Sequence, residues 1–176
     1  MDNHLVLAAL GSDQTGIVDE ISRTATEAKC SIADSRMVVM GQEFSIIMML
    51  SGTWDAIAKF ESQVHHLESR LNLSIITKRT QTRQPQRESI PYRIDVIALD
   101  NPGIVHEIAN FFASQQMNIE SLETSTYAAP HTGSPMFALN MIVNIPAKAH
   151  LATLRENFIL FCDDRNLDAI LEPYKN

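Results

Sequence analysis

Two short segments carry residue types that could hold a small charged molecule. Asp13-Gln14-Thr15-Gly16-Ile17-Val18-Asp19-Glu20-Ile21 returns, 87 positions later and without a gap, as Asp100-Asn101-Pro102-Gly103-Ile104-Val105-His106-Glu107-Ile108. Each follows an apolar run and precedes a helical pattern. A glycine at a strand-to-helix turn lets the backbone come close to a ligand. The first free N–H groups of the helix then point into that space, with the positive end of the helix dipole behind them. A small carboxylate, such as that of an amino acid, suits such a nest, and Asp13 or Asp100 could meet an ammonium group. The same residues also fit a purely structural turn, in which the glycine lets the chain close against a sheet and the aspartate caps the helix.

Other chemistries find fewer residues. No G-x-G-x-x-G follows either first strand and no G-x-x-x-x-G-K-[ST] occurs, so a dinucleotide or NTP site is not expected. The one His/Glu cluster is Glu61, His65, His66 and Glu68. Glu61 and His65 share a helical face and could chelate a metal, although a solvated face explains them as well. No Ser, His and Asp spacing suggests a nucleophile. Cys30 and Cys162 match neither a metal spacing nor a disulfide framework, and are expected as buried reduced thiols. Met37, Met40, Met48, Met49, Met136 and Met141 cluster on hairpin patterns and read as core, interface filler or a partner surface. No enzyme, metal or cofactor is expected.

The formal net charge is −7, and acids outnumber bases 10 to 7 in residues 1–80 and 10 to 5 in residues 92–176. A protein that grips phosphates directly carries the opposite balance, so direct nucleic-acid binding is not expected. Lys78-Arg79, Arg83 and Arg87 form the only basic cluster and read as a solvated connector. No apolar run is long enough to span a membrane and no signal-peptide pattern opens the chain, so a cytoplasmic protein is expected.

The elements that must position the two turns follow one order in each half. Leu5 to Leu10 and Tyr92 to Leu99 read as central strands. Ile17, Ile21, Ala25 and Ala28 make an apolar helical stripe, as do Ile104, Ile108, Phe111 and Phe112. Asn101 is the expected N-cap of that second stripe, with Pro102 at its first position. Hairpins follow: Ser31 to Met40, a turn at Gly41-Gln42, then Phe44, Ile46, Met48 and Leu50 at period two, echoed by Phe137, Leu139, Met141 and Val143. The second hairpin turn, Ala128 to Pro135, is longer. Thr53 is the expected cap of a helix lined by Trp54, Ile57, Val64, Leu67 and Leu71, and Leu151, Leu154, Phe158 and Phe161 line its counterpart. Leu73 to Lys78 and Leu167 to Glu172 close the halves. The plan is α+β: two ferredoxin-like βαββαβ domains, residues 1–80 and 92–176, each an antiparallel sheet with both helices on one face, joined by a polar linker at 81–91. Such a sheet leaves one face and its edges open, which predicts a pseudo-symmetric pair or assembly between chains.

The repeat of β-α-β-β-α-β with Asp-x-x-Gly-Ile-Val after its first strand resembles the ACT domain, a small-molecule regulatory module. The chain more closely resembles one tandem-ACT family, the glycine cleavage system transcriptional repressors. Ala9-Leu10-Gly11-Ser12-Asp13, Gly16-Ile17-Val18, Ile32-Ala33-Asp34-Ser35-Arg36, Gly41-Gln42-Glu43-Phe44, Leu50-Ser51-Gly52-Thr53-Trp54 and Lys78-Arg79-Thr80 carry that likeness. It implies a regulator without catalysis that acts on the glycine cleavage operon through a LysR-type activator and responds to glycine. It also implies a ligand loop at Asp13, Gln14, Thr15, Gly16, Ile17 and Val18, and a second at Asp100, Asn101, Pro102, Gly103, Ile104 and Val105. The start of the second strand, Ser31 and Ile32 or Asn118 and Ile119, is implied to line the same space. Where that family commonly has Arg-Pro, this chain has Gln14-Thr15 in the first copy and Asn101-Pro102 in the second, so backbone N–H groups would have to carry the anion. Alternatives are a regulatory subunit of a metabolic enzyme, and a protein-interaction module whose ligand site no longer works.

Overall fold

The computed structural model describes residues 3–82 and 89–174. The chain divides into two compact units, Met1–Gln84 and Pro85–Asn176. In the first, Phe44, Ile46, Met48 and Leu50 are buried at every second position of a strand, as their alternation predicts. The element order there is β1 (Asn3–Ser12), α1 (Ile17–Glu27), β2 (Ser31–Met40), β3 (Glu43–Gly52), α2 (Trp54–Leu71) and β4 (Leu73–Thr80). The strands form one antiparallel sheet in the order β2-β3-β1-β4. Leu5, Leu7 and Ala9 of β1 join the buried side of β3 against Ile17, Ile21 and Ala25 of α1 and Ile57, Phe60, Leu67 and Leu71 of α2. Each such aliphatic or aromatic side chain contributes about 1.5–3 kcal/mol by leaving water.

The second unit repeats the plan: β5 (Ser89–Leu99), α3 (Ile104–Ala113), β6 (Asn118–Ala128), β7 (Pro135–Pro146), α4 (Leu151–Asp163) and β8 (Asp168–Pro173), with sheet order β6-β7-β5-β8. Phe137, Leu139, Met141 and Val143 alternate inward as expected. Between α3 and α4 the contact is aromatic, with Phe111 and Phe161 ring centroids 4.9 Å apart and Phe112 and Phe158 5.3 Å apart. Both copies interrupt the second strand at the same repeat position, with register shifts between Ile32 and Asp34 and between Ile119 and Ser121.

Thr53 caps α2 as expected, its side chain accepting from the Ala56 N–H at 3.2 Å. Four expectations need correction. Asn101 is not the cap of α3 and Pro102 is not its first residue; Gly103 is the cap, at φ +104°, and the helix starts at Ile104. A left-handed residue interrupts any helical run, so the proline belongs to the preceding turn. Trp54 is 59% exposed rather than buried, because it is the first residue of α2, where the Arg79 guanidinium lies 5.3 Å from its ring centroid. Ser89, Ile90 and Pro91, expected in the linker, pair with Pro146, Ile145 and Asn144 as the start of β5. Lys78 ends the expected closing strand, and Arg79, expected in the connector, continues it within β4. The remaining linker positions 83–88, with Arg83 and Arg87, lie outside the described residues.

Candidate functional site

The two Asp-x-x-Gly turns have one geometry. Gly16 sits at φ 96° and ψ −1°, and Gly103 at φ 104° and ψ −16°. Each is the N-cap of its helix, and its carbonyl accepts the first helical bond, from Glu20 N–H and Glu107 N–H, both at 3.0 Å. A glycine cap offers no side-chain acceptor to the first turn, so the dipole end of α1 and α3 faces outward without one. A Cβ built on Gly16 would meet nothing within 4 Å, and one on Gly103 would reach only Glu107 Oε1 at 4.0 Å. The space over both turns is open; the backbone angle, not crowding, is what calls for glycine.

Neighbouring elements fix the turns from both sides. Behind each, the first helical residue, Ile17 or Ile104, is buried in the core, while the next, Val18 or Val105, is exposed. Ahead of each, the aspartate backbone is tied to the adjoining hairpin: Asp13 N–H donates to Gln42 O and Asp100 N–H to Pro135 O, both at 2.9 Å. The side chains of Asp13, Thr15, Asp100, Asn101 and Pro102 are exposed around the turns. Gln14 is committed elsewhere. Its Nε2 donates to Leu71 O at 2.7 Å and so satisfies a carbonyl at the end of α2. The first turn thereby keeps Asp13 and Thr15 as its free polar side chains, whereas the second keeps Asp100 and Asn101, the repeat counterpart of Gln14.

The expected second-strand residues do not join these turns within a unit. Ser31 and Ile32 pair with Ser51 and Leu50, at the sheet end where His4 and Leu5 lie. Gly16 follows the other end of β1, where Ser12 pairs with Glu43. Asn118 and Ile119 likewise face Asn144 and Val143, whereas Gly103 follows Leu99, which faces Met136. Strand length separates each pair by roughly 25 Å.

Sequence reasoning missed Glu20 and Glu107 as positioned groups. Their retention in both copies was the available signal. Glu20 in the first turn of α1 pairs with both Arg23 and Arg70, and Glu107 in α3 pairs with Arg165. A carboxylate there is favoured by the helix dipole and competes electrostatically with an incoming anion. The Glu61/His65 chelate does not form. Glu61 holds Arg79 in a bidentate pair at 3.0 and 2.6 Å, and His65 bonds Glu68 at 3.0 Å. Cys30 and Cys162 are buried and unpaired with each other; burial raises both thiol pKa values, that of Cys162 to about 11.

Comparison with known proteins agrees with this architecture. A family model of the ACT domain matches residues 3–78. The glycine cleavage system transcriptional repressor of Escherichia coli (strain K12) is 34% identical over 166 residues, which cover 93% of this chain and 86% of that one. The protein of the same description from Shigella flexneri matches equally. A crystal structure of a protein assigned as a glycine cleavage system transcriptional repressor aligns over 100% of this chain and 99% of its own at 28% identity and a TM-score of 0.72. An unknown protein from Galdieria sulphuraria shares the fold, at 23% identity and a TM-score of 0.81 over 99% of this chain and 100% of that one. With its ACT-like βαββαβ repeat and that identity along nearly its whole length, the chain belongs to the glycine cleavage system transcriptional repressor family.

Proposed function

We propose that this protein is a non-catalytic, cytoplasmic, glycine-responsive regulator that represses the glycine cleavage operon by binding a LysR-type activator. The supporting observation is the pair of open, left-handed glycine turns at the N-termini of α1 and α3. A glycine zwitterion suits that chemistry: its carboxylate would take the first-turn N–H groups, and its ammonium would lie near the Asp13 or Asp100 carboxylate. The proposed ligand residues are Asp13 to Val18 and Asp100 to Val105, one loop in each of two ACT domains. Regulation through a protein partner is favoured over direct nucleic-acid binding by the net charge of −7. Among the described residues, no helix is long and apolar enough to cross a membrane. For glycine to act as a switch it must bind one state of the protein more tightly than the other.

The Gln14–Leu71 bond favours a narrower version, in which the second turn binds and the first is structural. Calorimetric titration of the full chain with glycine, using alanine, serine and valine as controls, tests both. Glycine-selective heat with a Kd of roughly 10 µM to 1 mM is expected, with a stoichiometry of one if only the second turn binds. No heat with any amino acid, together with an unchanged melting curve, would overturn the sensing role and leave a protein-interaction module or a regulatory subunit of a metabolic enzyme.

A further inference from the structure

The groove between α1 and α2 gathers polar side chains that the glycine turn does not use. Arg23, Thr24 and Glu27 of α1 and Gln63, His66 and Arg70 of α2 line a cleft of about 180 Å³. Within each set the spacing is three or four residues or one turn more, so each shares one helix face. The matching place in the second unit is filled. At the 87-residue offset, Arg23, Thr24 and Glu27 become Asn110, Phe111 and Ser114. Phe111 packs against Phe158 and Phe161 of α4, at centroid distances of 5.3 and 4.9 Å, and takes up the space between the helices. Thr24 is too small to do the same, and its hydroxyl donates to Glu20 O at 2.8 Å. The first unit thereby keeps open, and lines with charge, a groove that the second unit packs with rings.

Donors predominate in this cleft. Glu20 pairs with Arg23 through Oε1 and with Arg70 through Oε2, and so draws two guanidinium groups to one place. Each pair uses Nη2 of an arginine that has five N–H donors. Gln63 and the exposed His66 add donors at the rim. Glu20 balances one of the two cations, and the second is matched by Glu27. That match is loose: Glu27 is 3.9 Å from Arg23 Nη1 and 66% exposed, and a pair so long and so hydrated is weak. Paired guanidinium groups suit an anion with several acceptor oxygens. A carboxylate has two such oxygens and a phosphoryl group has three. We propose that the α1–α2 cleft binds a small phosphoryl oxyanion between Arg23 and Arg70, with Gln63 and His66 at its rim and Glu27 turned aside. The site stands independently of amino-acid binding at the glycine turns.

Titrating the full chain with inorganic phosphate, followed by heteronuclear NMR at ionic strength held constant with chloride, tests it. Saturable shifts of the backbone amides of residues 23–27 and 63–70 are expected, with a Kd of roughly 0.1 to 10 mM. Arg23→Gln and Arg70→Gln should each weaken binding about tenfold. Glu27→Gln removes the competing charge and should tighten it about threefold. The Arg23 and Glu27 side chains are 49% and 66% exposed, so these two variants should melt close to the wild type. Glycerol phosphate as a second probe separates two sources of the same group: a Kd equal to that of phosphate assigns the free ion, and a lower one assigns a phosphorylated metabolite. The absence of a saturable shift up to about 50 mM phosphate would overturn the site. So would shifts confined to residues 13–18 and 100–105, a Kd unchanged in both arginine variants, or weaker binding by Glu27→Gln.

Discussion

Arg165, just beyond α4, reaches Glu107 in the first turn of α3, with Nε 2.6 Å from Oε2. Glu107 occupies the repeat position of Glu20, which Arg70 meets from the last turn of α2. In each unit, the glutamate kept by the repeat ties the two helices together beside the glycine turn. Arg165 does more than pair, since its guanidinium lies 4.1 Å from the Phe161 ring centroid. Replacing Arg165 with alanine removes both contacts and should cost about 1 kcal/mol; Glu107→Gln keeps a hydrogen-bond acceptor and the ring contact and should cost less. Urea unfolding of the full chain checks the order. Equal midpoints for wild type and Arg165→Ala would mean the clamp contributes nothing.

The two turn glycines should behave alike toward alanine and unlike Gly11. At Gly16 and Gly103 the added Cβ has room, so only the left-handed backbone is penalised, at about 1–2 kcal/mol. At Gly11 the Cβ would come 2.7 Å from Asn72 O and 2.8 Å from Leu73 Cδ2, and β1 and β4 would have to separate. Gly11→Ala should therefore destabilise by overpacking, at about 1–3 kcal/mol, although its φ is ordinary. At the proposed binding turn, Gly103→Val should abolish the calorimetric response to glycine while the far-UV circular dichroism stays near wild type. A folded Gly103→Val protein that still binds glycine would remove that turn as the site.

The alternation of Phe44 to Leu50 and the stripe of Ile104, Ile108 and Phe112 made the sheet and its helices legible, because period two and period 3.6 each leave one apolar side. The repeat located both turns, because glycine and its flanking isoleucine recur at one offset. What escaped depends on partners distant in sequence. Trp54 fits the apolar spacing of α2, yet stands exposed beside Arg79, which is 25 positions away. Ser31 and Ile32 follow α1 directly, yet lie at the sheet end away from Gly16, since strand direction reverses between β1 and β3 and again at β2. The Asn101-Pro102 start of α3 was a sound local reading that the left-handed Gly103 overrode.

Two glutamates near β4 make the first unit sensitive to acid, and the sign follows from their bonds. Glu68 is held below its ordinary value of 4.5 chiefly by the Ile75 N–H and then by His65. Glu61 is lowered from the same value chiefly by its hydrogen bond from Arg79. A carboxylate whose pKa is lower when folded leaves the unfolded chain holding more protons in the window between the two values. Its stabilisation is therefore complete above about pH 4.5 and is lost as pH falls through the folded value. Trp54 is the single tryptophan and lies against Arg79, so its fluorescence reports on this unit. Glu61→Gln should lower the urea midpoint read from Trp54 at neutral pH, and the gap to wild type should close as the pH is lowered from about 6 to 3. A gap that stays constant over that range would show that the charge of Glu61 contributes nothing to the fold.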